Sequence, residues 1–131
     1  MGTARKLPDW QEIVEYFKTL AEASDRVEFE ILGETTLGKP YVAVTISSAE
    51  NLAQRDDLRE VNGRLYNPID LSDEEAKELI ERGRTTNFLL LSQHSSEIGS
   101  CLMSLELAAR LAAGNDPETL ELLENTVTVI V

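Results

Sequence analysis

The sequence is poor in the residues on which most hydrolytic and metal chemistry depends. It contains one histidine and one cysteine among 131 residues. A single cysteine cannot form an internal disulfide, so cysteine usage leaves the redox compartment open. A single histidine leaves any zinc site that requires several imidazoles incomplete within these residues.

Positive charge and long apolar runs are also scarce. Lys and Arg total 12 against 24 Asp and Glu, which gives a formal net charge of −12. Nucleic acids and anionic membrane surfaces are bound by clustered cations, so we expect neither as a partner. No apolar run approaches the roughly 20 residues of a membrane helix. The first residues, MGTARK, are followed by no apolar run, so we expect no signal peptide in this chain.

What the sequence does contain indicates a folded domain, with 42% hydrophobic residues in short runs. We expect residues 1–7 to be a flexible lead. Asp9 and Glu12 have the spacing of a capping box and precede a stripe of apolar residues at helical spacing. The alternation over residues 27–31 predicts a strand, and a turn-rich loop separates it from a second strand over Tyr41–Ile46. These two strands are predicted to form an antiparallel hairpin.

The segment 47–86 has a different, more charged character. Its Asn62-Gly63 and Asn67-Pro68 pairs are turn signals. Ser72 opens a short acidic helix with a second capping-box spacing. We interpret the segment as a surface excursion between two core strands.

The remainder of the chain predicts a strand, two helices and a strand. Phe88–Leu91 is wholly apolar, which is typical of a strand buried on both faces. Ile98–Ala113 is apolar nearly all round and predicts a buried helix. Asp116-Pro117 begins another helix, and Asn125–Val131 alternates as a core strand. This order predicts a crossover unit in a parallel or mixed sheet.

One group of residues in this chain has the chemistry of a catalytic site. His94 and Glu97 follow the predicted buried strand, at the position where open α/β sheets build their sites. Both side chains are zinc ligands, and a separation of three residues places them on one side of a turn. A catalytic zinc takes three protein ligands and a water, so the pair supplies two. The spacing alone is weak, because His94 could bond a backbone group while Glu97 lies in a helix's first turn.

A resemblance to a known family gives the pair a function. The segment ILGETTLGKPYVAVTIS, residues 31–47, resembles the early hairpin of the M14 family, the zinc carboxypeptidases. The apolar run, His94-x-x-Glu97 and the long helix of small residues resemble that family's first zinc-binding motif in the same order. The resemblance implies a three-layer α/β fold with a mixed, partly parallel sheet flanked by helices. It also implies that His94 and Glu97 bind Zn²⁺ in a metalloprotease that hydrolyses the C-terminal peptide bond.

The same resemblance implies that residues 1–131 are the N-terminal part of a catalytic domain, inactive alone. The family's third ligand, its catalytic glutamate and its substrate-binding arginines lie further downstream. Gln93 and Ser95 flank the histidine where relatives often have small residues, and the segment 47–86 is longer than usual. A peptide is the expected substrate of the parent protein. Many relatives are exported, which is compatible with a secreted or periplasmic parent, but the compartment stays open.

Several alternatives remain open at the level of the sequence. Cys101 lies on the same helical stripe and could add a third ligand, although a small buried hydrophobe is the commoner role. Ser92, Ser95 or Ser96 could be nucleophiles with His94 as base, although the serine-hydrolase elbow motif is missing and Ser95 and Ser96 suit helix caps better. Related deacylases and enzymes that cleave cell-wall or polyglutamate chains share the motif. A non-catalytic interaction module with an acidic surface is a further alternative.

The last predicted strand carries an expectation about association. If Asn125–Val131 is normally covered by later strands, it leaves an open sheet edge in this chain. We therefore expect self-association through that strand.

Overall fold

The computed structural model describes residues 6–94 and 96–131, which form six helices and four strands. The helices are α1 (Trp10–Ala23), α2 (Ala49–Ala53), α3 (Arg55–Tyr66), α4 (Asp73–Arg82), α5 (Ile98–Ala113) and α6 (Pro117–Asn125). The strands are β1 (Val27–Glu34), β2 (Pro40–Ile46), β3 (Thr85–Leu89) and β4 (Thr126–Ile130). Most of the predicted lead, residues 1–5, lies outside the described residues, and Lys6 Nζ donates to Glu12 Oε1 at 2.8 Å.

The four strands form one mixed sheet in the order β1-β2-β4-β3. β1 and β2 pair antiparallel, which confirms the predicted hairpin. β4 pairs antiparallel with β2 and parallel with β3. The chain thus leaves β3, passes through α5 and α6, and returns in β4 parallel to β3, which confirms the crossover unit.

The helix starts follow the local signals in the sequence. Asp9 and Ser72 each form a complete capping box, with Glu12 and Glu75 respectively. Asp116 accepts from the backbone N–H of Thr119 and is followed by proline in the first helical turn. These side chains satisfy backbone N–H groups that have no partner inside the helix, so the starts are encoded locally.

Helices cover both faces of the sheet. On one face, α1, α5 and α6 bury an apolar core against the strands; its fully buried members are Ile13, Phe17, Val27, Val44, Ile46, Leu105, Ala108, Leu111, Leu123 and Ile130. Alternation turns Glu28 and Thr86 to the other face. There Arg55 of α3 pairs with Glu28, and the Asn62 amide donates to Thr86 Oγ1 at 3.2 Å. The protein therefore has the predicted three-layer α/β fold with a mixed, partly parallel sheet.

A buried polar network ties the segment after β2 to the end of α6. Ser47 and Asn51 are 0% and 2% exposed. The Asn51 amide donates to Ser47 Oγ, Leu123 O and Glu124 O at 3.0–3.1 Å. Ser47 Oγ contacts Leu123 O and Thr126 O. Further along the segment 47–86, α2 and α3 bury apolar side chains whereas α4 has none buried.

The strand before the candidate site differs from its prediction. Phe88–Leu91 was expected to be buried on both faces, but the strand is Thr85–Leu89 and Phe88 is 66% exposed. β3 is at the edge of the sheet, paired only with β4 among the described strands. A wholly apolar run therefore does not distinguish a central strand from an edge strand with one face exposed to solvent.

The last strand also differs from expectation. β4 lies between β2 and β3 and is paired on both sides. The prediction that Asn125–Val131 presents an open edge is wrong, and with it the stated basis for self-association there. Within the described part of the chain the open edges belong to β1 and β3.

Two further helix predictions need correction. Asn62-Gly63 does not form a turn but lies inside α3, where the Asn62 amide also donates to Arg84 O at 3.1 Å. The predicted burial of α5 all round is wrong as well: its fully buried residues lie on one face, and Met103 is exposed. No helix in the described ranges is both long and apolar enough to cross a membrane.

Candidate functional site

The candidate site is the loop that joins β3 to α5. Leu91 N–H donates to Val131 O and Val131 N–H donates to Leu89 O, each at 3.0 Å, so pairing with β4 continues past the end of β3. The loop then leaves the sheet at the carboxyl ends of two parallel strands. This is the edge of an α/β sheet at which binding sites usually form.

Two serines hold the shape of this loop. Ser92 has a positive φ of 52°, a left-handed conformation that is uncommon for a residue with a side chain. Its backbone N–H donates to Ser100 Oγ at 3.2 Å, and its hydroxyl donates to Glu97 O at 3.1 Å. The Ser100 hydroxyl also donates to Glu97 O at 3.0 Å. The start of α5 is thereby tied to the end of β3.

The histidine and glutamate of the motif face each other across this turn. Glu97 N–H donates to His94 O at 2.9 Å, which closes the turn. His94 Nδ1 lies 3.0 Å from Glu97 Oε1, and their side chains are 75% and 56% exposed. Glu97 is the N-cap residue of α5 but makes no side-chain cap bond. Its carboxylate therefore faces the imidazole instead of the helix backbone.

The separation of these two atoms is that of a hydrogen bond or ion pair and is close to the separation of two ligands on one metal ion. Zinc binds histidine nitrogen and carboxylate oxygen at roughly 2.0–2.2 Å, which in a tetrahedral centre separates two ligand atoms by about 3.4 Å. His94 Nδ1 and Glu97 Oε1 are 3.0 Å apart, a few tenths of an ångström short of that separation. A small side-chain rotation would bring both atoms to metal-binding distance. The donor set, one imidazole and one carboxylate, is also one that zinc accepts.

The structure bears on two alternative interpretations of the loop, in which Cys101 is a third metal ligand or a serine is a nucleophile. Cys101 is half-buried and packs against the apolar core, as a small hydrophobe would. Across residues 6–94 and 96–131, no three His, Cys, Asp or Glu side chains are grouped to hold a metal. Cys101 thus does not complete the pair. The hydroxyl of Ser92 donates to a backbone carbonyl, and Ser95 lies outside the described residues.

Sequence reasoning missed the role of Ser100. Ser96 was expected to cap α5, but the N-cap residue is Glu97 and the bond to its carbonyl comes from Ser100. A serine in the first helical turn can bond a carbonyl three residues back, and that local pattern was the available signal. The left-handed Ser92 gives no comparable signal in sequence.

Comparisons with known proteins do not identify this chain. No protein-family model matches it, and the search of curated proteins finds no match either.

Proposed function

We propose that His94 and Glu97 are two zinc ligands of a carboxypeptidase-type hydrolytic site, to which this chain contributes the first part of the catalytic domain. The observation that carries the proposal is the 3.0 Å approach of His94 Nδ1 to Glu97 Oε1, between a parallel strand and a long helix. The pair is exposed and lies on a hydrogen-bonded turn at the carboxyl edge of the sheet, where ligand-binding sites of α/β folds often form.

The order of elements supports the same assignment. The hairpin of β1 and β2 comes first, then β3, the His94-x-x-Glu97 turn and α5. This is the order in which the resemblance to the zinc carboxypeptidases places a hairpin, an apolar strand, the first zinc motif and a long helix. Gln93 departs from the small residue often found before the motif histidine, and its exposed side chain would line the site.

The residues of this chain have distinct parts in such a site. His94 and Glu97 would hold the metal through Nδ1 and Oε1. Ser92 and Ser100 fix the backbone that carries Glu97, which limits the rotation needed on binding. Bound zinc lowers the pKa of its water and polarises a peptide carbonyl. His94 is the only histidine in the sequence, so a third ligand that is an imidazole, the second imidazole of the site, has to come from outside these 131 residues.

Calorimetric titration of the chain with ZnCl₂ tests the ligand pair. We expect weak binding, because a pair of ligands leaves the remaining positions of the ion to water. His94→Ala and Glu97→Gln should each reduce the affinity by about tenfold or more, since each removes half of the protein ligands. Glu106→Gln, on α5 but outside the turn, and Cys101→Ser are the matched controls and should bind as the unmodified chain does.

Two results would contradict the proposal. The first is zinc binding that is the same in His94→Ala as in the unmodified chain, which would place the metal elsewhere. The second is a loss of binding in Cys101→Ser equal to that in Glu97→Gln, which would make the sulfur a ligand. Thermal melting of each variant shows whether it is folded.

A further inference from the structure

We propose that α4 is a lid, a helix that detaches from α3 as a unit while the sheet and the other helices stay folded. The lid covers the side of α3 on which Val61 lies, because Val61 lines the cleft between the two helices. This inference is independent of the zinc ligation proposed above. It gives a conformational role to the segment 47–86, which the zinc site does not use.

α4 is the helix with the least apolar anchoring. Among the six helices of the described ranges, α4 alone has no fully buried residue. Its half-buried apolar side chains are Ala76 and Leu79, and Ile80 is 65% exposed. Helices shorter than about 12 residues are marginal in water unless an apolar face is packed. Because α4 has 10 residues, it depends on a contact that buries little.

The contact between α4 and α3 is largely one of charged side chains. Arg82 Nη2 donates to both carboxylate oxygens of Asp57, at 3.0 and 3.1 Å, and both side chains are more than half exposed. An exposed ion pair of this kind contributes little to stability. A cleft of about 310 Å³ separates the helices, and its charged lining includes Glu60 and Arg64 of α3 and Glu75 and Glu78 of α4. Since like and opposite charges are mixed there, the cleft adds no strong net attraction.

The connections at the two ends of α4 permit this movement. Residues 67–72, before α4, lie outside helices and strands and, apart from Leu71, are exposed. After α4, the Asn62 amide of α3 donates to Arg84 O at 3.1 Å, which anchors the chain directly beyond the C-cap residue Gly83. Movement of α4 therefore ends at Gly83 and leaves the pairing of β3 with β4 intact.

α3 is anchored to the sheet by contacts that do not involve α4. Leu58 is 5% exposed, and Arg55 pairs with Glu28 of β1. Val61, by contrast, is 2% exposed although it lines the cleft beneath α4. Opening of α4 thus leaves α3 in place and uncovers the Val61 side chain.

Hydrogen exchange of the chain in EDTA, followed by NMR, tests the opening. The amides of residues 76–83 are bonded within α4, from Ala76 N–H to Ser72 O through Gly83 N–H to Leu79 O. Relative to the rates of an unfolded chain, they should exchange at least about tenfold faster than the amides of residues 58–62 in α3. Urea below the unfolding transition should leave exchange in α4 nearly unchanged and accelerate it in the sheet, because a local opening exposes little surface.

Two variants separate opening of α4 from a general loss of stability. Arg82→Gln removes the ion pair and should accelerate exchange in α4 by about two- to fivefold. Leu79→Ala removes apolar contact and should accelerate it by about tenfold. Neither should change exchange in α1 or β1. Arg59→Gln is the matched control, because Arg59 is exposed on α3 and does not line the cleft, and it should leave exchange in α4 unchanged.

Three results would overturn the inference. The first is equal protection of the amides in α3 and α4. The second is exchange in α4 that accelerates with urea as steeply as exchange in the sheet, which would mean that α4 opens only on global unfolding. The third is joint acceleration of α3 and α4 in Leu79→Ala, which would make the two helices one unit. Circular dichroism shows whether each variant is folded.

Discussion

Asn51 is a buried polar side chain that makes three hydrogen bonds through its amide. Its amide donates to Ser47 Oγ and to the carbonyls of Leu123 and Glu124, in a place shielded from water. Asn51→Ala would remove these three hydrogen bonds, although Leu123 O keeps Ser48 N–H as a donor and Glu124 O keeps Arg84 Nε. Because a hydrogen bond contributes a net of about 0.5–1.5 kcal/mol, we expect the free energy of unfolding to fall by roughly 2–3 kcal/mol. Urea denaturation of the variant measures the change.

A matched asparagine controls for this prediction. Asn67 follows α3 and is exposed. Asn67→Ala should change the free energy of unfolding by less than about 0.5 kcal/mol, as expected for an exposed position. Equal losses in the two variants would show that the buried network does not stabilise the fold.

Ser100 is a positioning residue for the proposed ligand pair. Its hydroxyl donates to Glu97 O and accepts from Ser92 N–H. Ser100→Ala should weaken zinc binding by about fivefold, because the loss of a hydrogen bond worth about 1 kcal/mol loosens the turn before binding. Calorimetric titration gives the affinity. Ser100→Thr, which keeps the hydroxyl, should restore most of it. If Ser100→Ala binds zinc as tightly as the unmodified chain, the turn does not depend on this bond.

Only part of the candidate site could be predicted from the sequence. His94 and Glu97 are three residues apart, so the proximity of their side chains follows from local geometry and is visible in the sequence. The support from Ser92 depends on a left-handed backbone conformation and on where β3 ends. Those features are set by pairing of β3 with β4, nearly 40 positions away in the chain, and no local pattern encodes them.

Among the elements, the start of α6 links stability to pH. Hydrogen bonds from the Thr119 hydroxyl and backbone N–H hold the pKa of the Asp116 carboxyl below its ordinary value of 3.8. A lowered folded-state pKa stabilises the fold above the unfolded value, and this contribution is lost as the pH falls through the folded value. Asp116→Asn should therefore be less stable than the unmodified chain at pH 7, and the difference should shrink on acidification.

Urea denaturation at a series of pH values from about 7 down to about 2 measures this difference. An asparagine side chain also accepts a hydrogen bond from a backbone N–H at a helix start, so the substitution removes the charge and keeps the N-cap. Thr119→Val removes the hydroxyl that contacts Asp116 Oδ2 at 2.7 Å and should reduce the pH dependence as well. A stability difference between Asp116→Asn and the unmodified chain that stays constant with pH would contradict the prediction.

Elements whose ends are marked by local chemistry were predicted well, and elements placed by distant contacts were not. The helix starts at Asp9, Ser72 and Asp116 follow from side chains that bond nearby backbone. Asn62 looked like a turn residue, but its amide bonds Arg84 O and Thr86 Oγ1, and these tertiary contacts outweigh the local preference. The edge position of β3 follows from strand order, which an apolar run does not reveal.

At the scale of the whole molecule, excess negative charge opposes the compact state. Acidic residues number 24 and basic residues 12, so at least half of the carboxylates have no cation with which to form a one-to-one pair. The ion pairs that do form, such as Lys18 with Glu15 and Arg82 with Asp57, are exposed. Exposed pairs contribute little to stability, which leaves repulsion as the larger electrostatic contribution.

Moderate salt should therefore stabilise the fold. Raising NaCl from about 10 mM to about 150 mM shortens the Debye length from about 30 Å to about 8 Å, which screens repulsion across the molecule. We expect the free energy of unfolding to increase by about 1 kcal/mol, which is about 4 °C in melting temperature for a chain of this size. Melting in EDTA, followed by circular dichroism, measures the shift without any contribution from zinc. Sucrose at matched osmolality controls for solvent exclusion. A melting temperature that falls with salt would mean that the exposed ion pairs, and not the excess of carboxylates, dominate the electrostatics of the folded protein.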